Sequence, residues 1–67
     1  MRFWQRFRDV LAEKGMTQTE FADEIGKKQS AVSRWANGTV NPSLENLLLI
    51  AEALDMTLSE LLEDVDG

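Results

Sequence analysis

The 67-residue sequence contains no cysteine, no histidine and no tyrosine, and only one proline. Without cysteine there is no disulfide framework, no thiol nucleophile and no zinc–thiolate site. Without histidine there is no imidazole base and no histidine triad. Long hydrophobic runs are missing as well. The longest is Leu47 to Ala51, five residues, against the ~20 that a membrane span needs. The opening Met1-Arg2-Phe3-Trp4-Gln5-Arg6 lacks the apolar stretch of a signal peptide. The expectation is a cytoplasmic chain with no cofactor, no metal, no membrane partner and no evident small-molecule ligand.

What is present fits a globular chain. Apolar residues make up 43% and charged residues 28%, too apolar for disorder. The length fits one small domain over residues 1–67, in which only about 60% of the unfolded surface is buried. The formal net charge is -5, but it is divided unevenly. Residues 1–38 hold all seven bases against five acids, and residues 39–67 hold seven acids and no base. From Ile25 to Leu44 there are three bases and no acid. A surface kept clear of negative charge suits a polyanion.

Alternating strand patterns are absent, and helical periods dominate. Phe3, Phe7, Val10 and Leu11 mark a first helix to about Lys14, closed by Gly15. Thr17-Gln18-Thr19-Glu20 is a capping box, with Met16 and Phe21 as its hydrophobic staple, opening a second helix that Gly26 stops. Asn37-Gly38 closes a third helix. Ser43 caps a fourth, with Leu44, Leu47, Leu48, Ala51 and Leu54 along one side. Thr57-Leu58-Ser59-Glu60 repeats the box, with Met56 and Leu61 as staple, and opens a last helix to about Asp64. The fold class predicted is all-α: a compact bundle of five short helices, with the second and third forming a helix-turn-helix.

The third helix carries the functional information. At the helical period, Gln29, Ser33, Asn37, Ser30 and Arg34 span an arc of about 140°. Ala36, Val32, Trp35 and Ala31 fill the other side. Lys27 and Lys28 stand at the entrance. Gln or Asn can pair bidentately with adenine in the major groove, Ser can donate or accept, and Arg matches guanine or phosphate. Neighbouring bases meet phosphates. The second helix adds Gln18 in its first turn, where free amides favour an anion. A merely solvated face is the alternative. The acid-free window, the short turn and the flanking lysines weigh against it.

From Thr17 to Leu62 the sequence resembles the lambda-repressor-like (Cro/cI-type, XRE) helix-turn-helix family. The residues that carry this are Met16 to Gly26, Gln29 to Gly38, Pro42-Ser43-Leu44 and Leu54 to Leu61. The resemblance implies a five-helix DNA-binding domain acting as a dimer on a two-fold site. It implies that Gln18 contacts phosphate and braces Gln29, and that Gln29 and Ser30 read bases. Ser33 and Arg34 follow along the groove, with Asn37 near the DNA backbone. The candidate DNA-binding set is Thr17, Gln18, Lys27, Lys28, Gln29, Ser30, Ser33, Arg34 and Asn37. Two departures stand out. Lys28 occupies a position where the family often has a Ser or Thr cap, and a lysine there meets the positive helix end. An arginine–glutamate pair found in many members is here Leu11 and Ala36, an exchange of charge for packing that is often neutral or stabilising.

Other residues have competing readings. Trp35 falls on the buried arc. Trp4 covers the core or forms a contact patch. Arg2, Arg6 and Arg8 reach flanking phosphates or remain solvated. Leu49 stands where the family usually has a polar residue, and with Ala53, Leu62 and Val65 it is a candidate dimer seam, although a single exposed leucine needs no explanation. Glu63-Asp64-Val65-Asp66-Gly67 reads as a solubilising acidic end. The function expected is a sequence-specific transcriptional regulator, a prokaryotic or phage repressor that binds double-stranded DNA as a homodimer, and not an enzyme. The alternative is a protein-interaction module of the same fold, antitoxin-like or antirepressor-like.

Overall fold

The computed structural model describes residues 1–66; Gly67, the last residue of the acidic end, lies outside the described residues. Five helices follow one another: α1 (Phe3–Lys14), α2 (Gln18–Ile25), α3 (Gln29–Asn37), α4 (Leu44–Ala53) and α5 (Leu58–Leu61). No strand occurs among the described residues.

Local chemistry sets most of the boundaries. Thr17 Oγ1 accepts the Glu20 amide at 3.1 Å, and the Glu20 carboxylate accepts the Thr17 amide at 3.0 Å. The same reciprocal pair closes between Thr57 and Glu60 at 2.9 and 3.1 Å. Ser43 Oγ accepts the Asn46 amide at the start of α4. Each box satisfies two amides that a helix start otherwise leaves open. At the other end of α3, Gly38 takes φ +80°, and the Trp4 indole lies against it. A Cβ there would sit 2.7 Å from Trp4 Cδ1. Trp4 is therefore a cover over the end of α3, half-buried rather than a free patch.

The core draws on every helix. Phe7, Val10, Phe21, Val32, Ile50 and Leu61 are fully buried, with Leu11, Trp35, Ala36, Ala51 and Leu54 nearly so. Phe7 sits at its centre, edge-on to Phe21 at 5.3 Å and to Trp35 at 6.5 Å, and stacked on Phe3 at 5.7 Å. Such pairs add to area burial. Met16 and Met56 pack against this core, beside the buried Phe21 and Leu61 that were expected to staple them. Leu11 and Ala36 are both buried, so the apolar exchange leaves no stranded charge.

Two expectations change. On α4, Ile50, Ala51 and Leu54 face the core with Leu47 packed beside them, but Leu44 and Leu48 are 63% and 51% exposed. Seven of the ten residues of α4 are apolar, so its period has more than one apolar side, and tertiary packing selects among them. The last helix ends at Leu61 rather than near Asp64. Arg6 caps that end: its guanidinium donates to Glu60 O at 2.7 Å and its Nε to Leu61 O at 3.4 Å. The chain then turns through Asp64 at φ +62° and returns to the start, where the Asp66 amide donates to Met1 O at 2.8 Å.

Candidate nucleic-acid interface

Gly26, Lys27 and Lys28 link α2 to α3. Gly26 takes the left-handed conformation at φ +69°, which lets the chain reverse without steric cost. The apolar side of α3 fixes its orientation. Val32, Trp35 and Ala36 are buried, so the outer arc turns away from the core. Gln29, Ser30, Arg34 and Asn37 are exposed and Ser33 is half-buried. Lys27 and Lys28 are exposed beside them.

The entrance to α3 differs from those of α2, α4 and α5. Lys28 is the cap residue and provides no side-chain acceptor. Its carbonyl oxygen accepts from Ala31 at 3.0 Å and Val32 at 3.3 Å. The amides of Gln29 and Ser30 have no intrahelical acceptor, and the helix end is electropositive. Two lysines are added to that positive end. The only ion pairs among the described residues are Arg6–Glu63 and the Met1 ammonium with Asp66. Lys27, Lys28 and Arg34 are thus uncompensated cations.

At the start of α2, Thr17 spends its hydroxyl lone pair on the cap. Gln18 is half-buried and lines a depression of about 220 Å³ with Thr17, Leu11, Met16 and Arg8. The structure therefore brings Arg8 to the α2 entrance, where free first-turn amides favour an anion. Sequence reasoning left Arg8 undecided, because only the packing of α1 against the start of α2 puts it there. Arg6 goes the opposite way. It is engaged with the end of α5 and is removed from the phosphate candidates. Backbone hydrogen bonding from Thr17, and then its side chain, holds the Glu20 carboxyl below its ordinary value; Thr57 does the same to Glu60.

Two expected roles take a different form. Asn37 Oδ1 accepts the Thr39 amide at 2.9 Å and the Thr39 hydroxyl, so its oxygen holds the turn after α3. Its amide nitrogen makes no hydrogen bond among the described residues, and the residue is exposed. Gln18 and Gln29 share no hydrogen bond among the described residues, so the brace implied by resemblance is not formed here.

The candidate seam divides in two. Leu62 and Val65 line a cleft of about 300 Å³ with Phe3, Pro42 and Leu47, whereas Leu49 and Ala53 lie outside it. Ala53, Leu62 and Val65 pack partly against the core; Leu49 is half-buried. No helix among the described residues is long and apolar enough to cross a membrane.

Two packed helices joined by a glycine turn, the second showing an acid-free polar face flanked by bases, define a helix-turn-helix module. Comparison with known proteins agrees. The helix-turn-helix family profile matches residues 7–61. The control protein C.MunI from a Mycoplasma species is 36% identical over 98% of this chain and 90% of its own length. The cryptic phage CTXphi transcriptional repressor RstR from Vibrio cholerae is 33% identical over 91% of this chain and 54% of its length. The solved structure of the restriction-modification controller protein C.AhdI from Aeromonas hydrophila overlays with a TM-score of 0.82 at 39% identity, covering 88% of this chain and 89% of that one. The chain belongs to the lambda-repressor-like (XRE) helix-turn-helix family of transcriptional regulators. It spans 54% of the length of RstR and 30% of a further curated relative.

Proposed function

We propose that residues 1–67 act as one DNA-reading domain, which binds a two-fold operator as a homodimer and regulates transcription by occupancy, without a catalytic step. The observation that carries this reading is the outer face of α3: Gln29, Ser30, Ser33 and Arg34 without an acid, beside Lys27 and Lys28 without ion-pair partners. Gln29 and Ser30 read base edges near the helix start, and Arg34 follows along the groove. Lys27, Lys28, Gln18 and Arg8 hold phosphates with the open amides of α2 and α3. Thr17 fixes the α2 end, and Asn37 offers its amide to the DNA backbone. Two copies place α3 in successive major grooves about 34 Å apart. The homodimer pairs through Leu49, Ala53, Leu62 and Val65, and works in the cytoplasm at the nucleoid. The name of RstR supports repression as the outcome.

The test is selection from a random duplex pool at about 100 mM salt, where phosphate contacts still hold. Enrichment of a two-fold motif with half-sites one helical turn apart is the expected result. No enrichment by a chain whose helical circular dichroism is intact overturns the reading and leaves the protein-interaction alternative.

A further inference from the structure

On the far side of the chain's charge divide, α4 carries an outer face that neither the core nor the DNA reading uses. At the helical period, Leu44, Leu48, Glu52 and Glu45 fall in that order across an arc of about 100°. All four are exposed, and they are the helix's only fully exposed positions. The two leucines are among the most exposed large apolar side chains of the described residues. The two carboxylates have no ion-pair partner among those residues. Arg34 is the last base of the sequence, so nothing beyond it supplies a cation.

We propose that this face of α4 docks a cationic amphipathic segment of another protein, its apolar side on Leu44 and Leu48 and its bases on Glu45 and Glu52. Charge complementarity selects that occupant. DNA is repelled by the carboxylates. A second copy pairing face to face sets Glu45 and Glu52 of one molecule against Glu52 and Glu45 of the other, a like-charge contact that disfavours self-association. A lysine- and leucine-faced helix answers both the apolar strip and the carboxylates. The face is carried by a different helix from the DNA-reading one, and its four exposed residues are not among those assigned to DNA.

The experiment uses the whole chain labelled with ¹⁵N and a short synthetic helix with leucine on one face and lysine on the other. A scrambled peptide of the same composition is the control. The expected result is shift changes concentrated on residues 44–52 with the amphipathic peptide and about tenfold weaker binding of the scrambled one. Leu44→Ser with Leu48→Ser, and separately Glu45→Lys with Glu52→Lys, each lower affinity by about tenfold or more. All four sites are exposed, and circular dichroism checks that each variant keeps its helices. Three results overturn the proposal. The first is shifts spread over the acids of α1 and α5, as general charge attraction gives. The second is unchanged affinity in the folded variants. The third is concentration-dependent shifts in the free chain at Leu44, Glu45, Leu48 and Glu52 themselves, rather than at Leu49 and Ala53 of the proposed dimer seam, which make the occupant a second copy. Operator binding is measured in parallel, and retention of DNA by both double variants separates this face from the DNA-reading one.

Discussion

α3 and α4 enclose the same core and present opposite surfaces. α3 shows glutamine, serine, arginine and asparagine, with lysines at its entrance and no acid; α4 shows two leucines and two glutamates, with no base. They differ in capping too. Ser43 closes the start of α4, whereas Lys28 leaves the start of α3 open. A serine at Lys28 would contribute stability that the lysine does not. The open entrance, kept where charge is most positive, is what an anion site requires and what a merely stable helix avoids. The two starts are therefore held differently: α4 is closed by its serine cap, and α3 is held by the packing of Val32, Trp35 and Ala36.

The largest expected effect breaks the packing side of that contrast. Gly38→Ala forces a side chain into the left-handed region and drives its Cβ onto Trp4. Left-handed strain and overpacking together cost about 2–4 kcal/mol, a large share of a small domain's stability. Urea denaturation measures it. Trp4→Ala in the same background recovers the overpacking part and leaves the backbone part. A loss below 1 kcal/mol, on the order of the scatter expected for an ordinary surface site, means that Trp4 does not clamp the end of α3.

Next in size is Gln29→Ala, expected to weaken operator binding by about 1–3 kcal/mol and relax specificity at one base pair, with stability unchanged. Titrating parent and variant against the operator and a mismatched site separates the two effects. Equal discrimination by both proteins removes Gln29 from the base-reading set.

How much of this was legible in the sequence depends on how local the cause is. The boxes at Thr17 and Thr57 and the stops at Gly15, Gly26 and Gly38 span a few residues each, and all form as the spacing predicts. The two faces of α3 were legible because its apolar and polar residues segregate. α4 was not, because leucines on several of its sides leave the buried side to be chosen by α2 and α5. Arg6 and Arg8 differ by two positions and have the same chemistry, yet one closes α5 and the other reaches the start of α2. That division is set by rotation around α1 and by what the distant chain brings alongside. The carbonyl cap at the end of α5 comes from Arg6, 55 residues from Leu61, and no local pattern contains it.

A smaller effect sharpens the capping comparison directly. Lys28→Ser gives α3 the cap that α4 already has, and raises stability by about 1 kcal/mol. The same change weakens DNA binding evenly across sequences and reduces the salt slope by about 1. Opposite signs in the two measurements establish that the open entrance serves binding. If stability rises while affinity and salt slope stay fixed, Lys28 has no phosphate contact and its place in the interface is lost.

The smallest effect comes from the two boxes, one in each charge region. Hydrogen bonds from Thr17 and Thr57 hold the Glu20 and Glu60 carboxyls below their ordinary value of 4.5. A carboxyl lowered on folding stabilises the folded state above its unfolded pKa, and that contribution is lost as pH falls through the folded value. The window therefore opens near 4.5 and extends below it. Glutamine at either position keeps an acceptor for the threonine amide but no longer titrates. Melting curves of Glu20→Gln and Glu60→Gln should each show a shallower loss of stability on acidification than the parent, with little change near neutrality because both groups are exposed. Their effects on DNA should differ. Glu20→Gln removes a negative charge from α2, beside the interface, and should tighten binding slightly at low salt. Glu60→Gln removes one from the acidic region and should leave binding unchanged. Equal tightening in both variants would reduce the charge divide to net charge alone, with no face of its own.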